Sequence, residues 1–561
     1  VFPMRKVPGV GVTIPVPCMV SVVCLATMLS VHTAQSEPNL IDQSIVPAEA
    51  WTGEPYALAG KRIVFTDWYY IRPGGYSWRD ENGNAVTASK SSPIGPWGAT
   101  FVRGQDAPWG IRLRAEHAQR MAPAISQEKP WEKGNMGGFF VLHDGDHYRA
   151  WANTAGGPAY YESRDGLTWN RPELGLVEFE GSKANNLIPT WPGCVFIDPS
   201  APPSERYKGV SDGSITPEEF EKFRAAHPDR WEHRALRKDA GFISALYGYT
   251  SPDGISFQRF PEPFTVEHSD TLVTGTYDPR RKEYRIYTRN YFVGPRALDA
   301  PPDEMGMGWL GESQGSGRRS IGMTRSRTFG DFSLSEVILT PRSDMAPYQL
   351  LYTNCYTTIP GASDQQLLFP AVWDTSTDTT QLELAASHDG RVWNWVPGGP
   401  LMETFEFGDP DGGCIFWNPN LVELGNGDWV LPYTGYAFPH KYPRGAWSYR
   451  TGYALWPKGR LVALEAPERG EFTTVSLMPP GRTLLINAVT ERAGEIRIAV
   501  TNRDGSILEG RGFENCDAVV GDKFQVPVKW NGQEDLGFEK GQPICLKFRL
   551  NKAKIYGLVF Q

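Results

Sequence analysis

Ser163-Arg-Asp165-Gly166-Leu-Thr-Trp169 returns as Ser251-Pro-Asp253-Gly254-Ile-Ser-Phe257 and again as Ser387-His-Asp389-Gly390-Arg-Val-Trp393. A degenerate copy, Ser326-Arg-Thr-Phe-Gly-Asp331-Phe332, lies between the second and the third. Successive copies start 61 to 88 residues apart. Asp-Gly supplies the positive backbone dihedrals that a tight hairpin needs. The Ser and Asp side chains can bond turn amides, and the ring that follows is left to plug the space between neighbouring sheets. Each clear copy follows an alternating apolar segment, such as Tyr148-Arg-Ala-Trp151 or Leu382-Glu-Leu384-Ala. Strand-rich repeats of this length predict propeller blades, with the phrase as a structural staple rather than a ligand site at each copy.

The chain divides accordingly. Blades are expected over 132–190, 194–265, 268–342, 350–400 and 408–466, which makes five, and a strand around Lys61–Ile71 is expected to complete the ring. Residues 215–239 read as a helical insertion in the second blade, with Thr216 as N-cap, Pro217 at the first helical position and Glu219 closing a capping box. Beyond about 470 the pattern changes. Thr483–Asn487, Glu495–Val500, Asp522–Trp530 and Ile544–Leu550 alternate apolar and polar residues, and Asn502-Arg-Asp504-Gly505 is a hairpin turn. The expected fold is all-β: a five-bladed β-propeller over 61–470 and an antiparallel β-sandwich over 471–561, the sandwich bracing the propeller.

Composition agrees. Of 561 residues 12% are aromatic, with 19 Trp, 59 Gly and 46 Pro, the usage of many strands joined by many turns. A net charge of −8 without a long basic run argues against nucleic acid as partner. Near the start, Arg5-Lys6 precede an apolar stretch from Val7 to Val31 that ends near Ala34-Gln35-Ser36. This reads as a signal peptide over 1–36, followed by a linker over 37–60. Pro15 and Pro17 disfavour a stable spanning helix. The expectation is a secreted or periplasmic protein without stable membrane insertion after cleavage; its oligomeric state is left open. Of seven Cys, Cys194, Cys355, Cys414, Cys516 and Cys545 follow the leader, an odd number without C-x-x-C spacing, so buried thiols are expected rather than a disulfide framework or zinc site. No metal site and no cofactor are expected, a structural calcium aside.

Val195-Phe-Ile-Asp198-Pro199 resembles the aspartate-proline strand of the five-bladed glycoside hydrolase clan that holds invertases, levanases, arabinanases and β-xylosidases. The Ser-x-Asp-Gly-x-x-Trp turns and a propeller followed by a terminal sandwich fit the same clan. The longer phrase Tyr161-Glu-Ser163…Trp169-Asn-Arg-Pro172-Glu-Leu-Gly175…Gly181-Ser-Lys-Ala-Asn185-Asn186 is similar to a large group of exported bacterial glycosyl-hydrolase-like proteins, a likeness running from about residue 61 to the end. Two departures stand out. The invertase opening Trp-x-Asn-Asp-Pro-Asn-Gly is absent, and so is the Glu-Cys pair that supplies its acid. Only Asp198 matches a recognisable family position, where an aspartate orients substrate or stabilises the transition state.

The resemblance implies a carbohydrate substrate and two carboxyl groups across the scissile bond, one protonating the leaving oxygen and the other attacking or activating water. Inner strands of a propeller converge on one tunnel, so acids at their starts are the candidates. These are Glu132 before the first blade, Asp198 at the second and Asp270 at the third, with Asp67 added if its strand is innermost. Asp409 and Asp411 open the fifth. Arg289, His440, Trp131 and Trp373, together with Asp409, are candidates to bind substrate. Structural readings compete at each: a rim ion pair for Arg289, a solvated loop for His440, core packing for the two Trp. No Gly-x-Ser-x-Gly elbow, P-loop or His-Glu-x-x-His motif occurs.

The expected function is therefore glycoside hydrolysis. The competing readings are a non-catalytic carbohydrate-binding propeller, or a polysaccharide lyase or sialidase-like enzyme using Arg289, Arg318, Arg319 and Arg325. The leader makes a separate prediction. Mass spectrometry of protein exported from a native-like host should find the N-terminus between about Ala34 and Asn39; uncleaved chain in the cytosol would contradict it.

Overall fold

The computed structural model describes residues 54–73, 107–232, 235–237, 242–292, 318–441 and 448–561. The expected signal peptide and most of the linker lie outside them. Among the described residues the protein is all-β, with one α-helix and a few single-turn 3₁₀ segments.

Five antiparallel sheets follow one another along the chain. Sheet one is Met136–Asp144, His147–Thr154 and Gly157–Ser163. Sheet two runs Cys194–Ile197, Tyr207–Ile215, Phe242–Ser251 and Gln258–Arg259. Sheet three runs Thr274–Asp278, Glu283–Phe292, Arg318–Ser326 and Glu336–Leu339. Sheet four is a four-strand meander broken across its middle. Its first strand is split around Cys355, which has φ 41°, and its second at Pro370, which has no N–H to give. Sheet five joins Cys414–Trp417, Trp429–Tyr436 and Tyr449–Trp456 to Gln119–Met121. Each sheet packs on the next, and the first strand of sheet one packs on Trp429–Tyr436 and Tyr449–Trp456 of sheet five. The five sheets thus close a ring, as propeller blades do.

The repeated phrase holds neighbouring sheets together. In each clear copy Ser Oγ accepts the amide of the turn Gly, and Asp Oδ1 accepts the two amides that follow it. The three glycines share φ of 74° to 76°. Trp169, Phe257 and Trp393 are all buried. Each glycine also meets the preceding sheet. Tyr453 donates to the Gly166 carbonyl at 3.0 Å, Trp151 donates to the Gly254 carbonyl at 2.9 Å, and a Cβ on Gly390 would strike the Arg285 guanidinium. In the degenerate copy Asp-Gly is lost but the ring survives: Phe332 is buried and stacks on Phe264 of sheet two.

The strand that completes the ring differs from expectation. Arg62–Ile63 pairs with Leu558 and Val559 in the C-terminal sheet, and Gln119–Met121 closes sheet five against Tyr453–Leu455. Arg120 clasps the seam. It ion-pairs with Asp411, donates to Asp409 at 3.0 Å and lies 4.3 Å from the Phe405 ring centroid. Asp411 is buried and also accepts from Tyr433. The helix is Pro217–Ala226, with the expected Thr216–Glu219 capping box. It buries Phe220 and Phe223 and stops before Pro228, well short of 239; residues 233–234 and 238–241 lie outside the described set.

The C-terminal strands take in two short segments from before the ring. They form one six-stranded sheet, with Arg112–Ala115, Val462–Thr473, Cys545–Phe560, Leu484–Thr501 and Asp522–Pro527 in order and Arg62–Ile63 also on Cys545–Phe560. Its longest strands carry register shifts at Ala466/Arg469 and Thr490/Glu495, where bulges bend them. The expected border at 470/471 falls inside Val462–Thr473. One apolar core runs from sheets four and five into this sheet, including Trp417, Trp456, Phe472 and Phe548. Among the described residues all five cysteines are buried.

Removing Arg120 leaves the buried Asp411 carboxylate facing Tyr433 alone. Arg120→Ala should therefore cost roughly 3 kcal/mol. Asp409→Ala, at an exposed carboxylate, should cost less than about 1 kcal/mol. Urea unfolding of both variants checks this, and equal midpoints would refute the clasp.

Candidate active site

The ring has two ends: one where the inner strands start, and one where they finish. Asp198 belongs to the second. It follows Cys194–Ile197 rather than opening it, and Tyr284, just past the far end of Thr274–Asp278, donates to its Oδ2 at 2.5 Å. Ser200 occupies Oδ1 through both its amide and its hydroxyl. Asp270 precedes Thr274–Asp278 and so belongs to the starting end. The expectation that Asp198 and Asp270 face one mouth is not met: they lie at opposite ends of adjacent inner strands. A cavity at the finishing end is lined by His143, Tyr148, Thr358, Asn420 and Glu423, and Glu423 is ion-paired with Arg62.

Other candidate acids are also committed to the fold. Glu132 is completely buried, and four donors fill its carboxylate: the Glu128 and Lys129 amides, Tyr161 at 3.0 Å and Arg171 at 2.7 Å. It staples the approach to sheet one onto that sheet. Asp67 accepts the Tyr69 amide and sits 3.1 Å from His388 of the third repeat, on the outer turn of sheet four. Asp409 is part of the Arg120 clasp. Trp131 packs on Phe179 and donates to Asn186 at 2.9 Å, at the flank of sheet one.

The remaining candidates come together at the starting end, around sheets three and four. Arg289 pairs in register with Ile321, and Arg319 with Tyr291, so strand alternation puts Arg289, Tyr291, Arg319 and Ile321 on one face. Arg289 is ion-paired with Asp270 and touches His268 Nε2, and its amide donates to Ser269. Arg319 lies over the Tyr352 ring, 3.8 Å from its centroid. Tyr352 in turn meets His440, with Nε2 2.7 Å from its hydroxyl, and packs edge-on against Trp373. His440 also packs against Trp373 and Phe416. Asp270, Arg289, Trp373 and His440 therefore share one mouth.

Asp212, which the sequence reading passed over, joins them. It sits in Tyr207–Ile215, opposite Leu246. Its side chain is exposed, yet the protein walling it in removes enough hydration to push the carboxyl up to about 6. The Asp270 charge adds to the rise, and Arg289 opposes it. Beneath this layer, burial pushes Glu267 up to about 7 against hydrogen bonds from Thr265 and Ser335. Two carboxyls in one mouth, one crowded and the other against a guanidinium, are the parts of an acid–base pair. Among the described residues no group of His, Cys, Asp and Glu is arranged to hold a metal ion. Nor is any helix among them long and apolar enough to cross a membrane.

No family model matches the chain, and no curated protein does. Solved structures do. A thermostable family-43 glycoside hydrolase is similar at 11% identity over 58% of this chain and 92% of its own, with a TM-score of 0.35. A β-fructofuranosidase of Bombyx mori is 11% identical over 80% of this chain and 94% of its own, at 0.33. An α-L-arabinofuranosidase of Podospora anserina, solved with cellotriose, is 10% identical over 61% of this chain and 96% of its own, at 0.32.

The elevated Asp212 has a stability consequence. An aspartate raised in the fold is favoured protonated, so its ionisation costs stability. That cost is absent below about pH 4 and complete above about pH 6. Asp212→Asn should raise the melting temperature at pH 7, and the gain should vanish as the pH falls towards 4. Thermal scans across that range decide it; a gain that persists at pH 4 would point to another cause.

Proposed function

We propose that the chain is an exported glycoside hydrolase acting on a poly- or oligosaccharide at the mouth where the inner strands start. One observation carries the reading: Asp212, raised to about 6, shares that mouth with Asp270, which is ion-paired to Arg289. Asp212 then serves as the acid. Its proton passes to the glycosidic oxygen as the bond from that oxygen to the anomeric carbon breaks. Asp270 is the opposing carboxylate, which attacks the anomeric carbon or takes a proton from the water that does. Arg289 orients Asp270 through their ion pair. Tyr352, half-buried between Arg319 and His440, offers a ring face to a sugar, with Trp373 and Phe416 packed around it. In this reading Asp198 and Glu132 hold the sheets in place and take no part in the chemistry.

A glycan panel tests the proposal. On a substrate so identified, Asp212→Asn and Asp270→Asn should each lose at least about 100-fold in kcat, the scale of a general acid or base. The parent's kcat/KM should fall as the pH rises above about 6, where Asp212 gives up its proton. Full activity in both variants would overturn the assignment. Sugar binding without turnover in the parent would replace it with a binding module.

A further inference from the structure

Buried arginines in this protein are ordinarily compensated. Arg285, with no exposed side chain, is held by Glu283, Asp278 and Gln366. Arg171 is held by Glu132. Arg319 is different. It is 2% exposed, and no carboxylate lies within ion-pair distance of it among the described residues. Its Nη2 donates to the Tyr352 carbonyl at 3.2 Å, while its Nε is buried without a hydrogen-bond partner. An ionised group is not retained in such a place without a partner at no cost to the fold. Its neighbour makes matters worse, because Arg289 is close enough for the two cations to repel.

The stacking on Tyr352 suggests what the charge is for. A guanidinium over a ring still presents N–H groups at its edge, and a planar carboxylate is the acceptor that takes two of them at once. With Asp212 protonated, as it is below about pH 6, the Arg289 and Arg319 guanidinium groups outnumber the Asp270 carboxylate by one charge, which one monoanion balances. A dianion would instead press against Asp270. We propose that Arg319 is a specificity residue that receives the carboxylate of a uronic acid unit, so that the substrate at this mouth is an acidic glycan. The proposal rests on the glycosidase reading for its site, though it is tested by binding and not by turnover.

The test is calorimetric titration of the whole protein at about pH 5, where Asp212 is protonated and a uronate is ionised, with methyl glucuronide and methyl galacturonide, against methyl glucoside and methyl galactoside. The acidic sugars should bind at least about tenfold more tightly, the scale of a charge-assisted hydrogen-bond pair. Arg319→Met should erase that preference while leaving neutral sugar binding as it was. Its melting temperature should stay level or rise, because an uncompensated charge has been removed. Arg319→Lys, which keeps the charge but not the fork, should retain part of the preference and guards against a Met variant that fails to fold. Equal affinity of the parent for acidic and neutral sugars overturns the proposal. So does a Met variant that melts lower with its preference intact, which would make Arg319 structural, and so does displacement of the uronide by equimolar sulfate. Hydrolysis of neutral glycans with no uronide preference would sink this inference and spare the glycosidase reading; uronide binding without hydrolysis of any glycan would do the reverse.

Discussion

The ring depends on how each sheet grips the one before it. A turn Gly near φ 75° brings its own backbone against the preceding sheet, where a tyrosine hydroxyl, an indole N–H or a guanidinium meets it. No other residue type suits the positive φ, and at Gly166 and Gly390 a Cβ would also collide with a neighbouring side chain. The Ser and Asp of the phrase hold the turn in shape, and the aromatic ring behind it fills the gap. Once the sheets are fixed side by side, strand alternation settles what faces the mouth. Arg289 and Arg319 share a face because register puts Tyr291 opposite Arg319 and Ile321 opposite Arg289.

Across the protein, burial and charge sort the carboxyls by role. Carboxylates with several donors, such as Glu132 and Asp198, act as mortar between elements. Asp212 is poorly supplied with donors and sits beside another acid, so it keeps its proton into the range where chemistry in water is run. The protein thus stores an unfavourable arrangement where its structural acids store a favourable one, and that contrast separates the proposed site from the scaffold more sharply than residue type does.

What the sequence disclosed follows the range of the interactions involved. The Asp-Gly turns and the Thr216–Glu219 cap were legible because each is complete within a few residues. Asp270, Arg289, Trp373 and His440 were legible as candidates because they border apolar strands. Asp198 was placed at the wrong end, because an Asp-Pro pair marks a strand boundary without saying which boundary it is. Glu132 looked available, since its partners Tyr161 and Arg171 are remote in sequence. Asp212 was missed for a related reason. Ser211-Asp212-Gly213-Ser214 has the composition of a turn, and only pairing with Ala245 and Leu246 holds it in a strand. The ring-closing strand was misassigned because Arg62–Ile63 and Gln119–Met121 are both short segments, and the partner that chooses between them lies hundreds of residues away.

That closing strand has a consequence for how the protein is made. A chain is synthesised from its N-terminus, and domains commonly begin folding as they emerge. Here Gln119–Met121 appears early, yet its partner Tyr449–Trp456 is the last ring strand to be translated. Arg62–Ile63 waits longer still, for Cys545–Phe560. Sheets one to four can form in turn on the ribosome, but the seam stays open until Tyr449–Trp456 has been built. Such long-range pairing folds slowly and leaves strand edges exposed meanwhile. Loss of Cys545–Phe560 would leave Arg62–Ile63, Val462–Thr473 and Leu484–Thr501 without the strand that joins them, so truncated products should be marked for degradation rather than persist as shortened propellers.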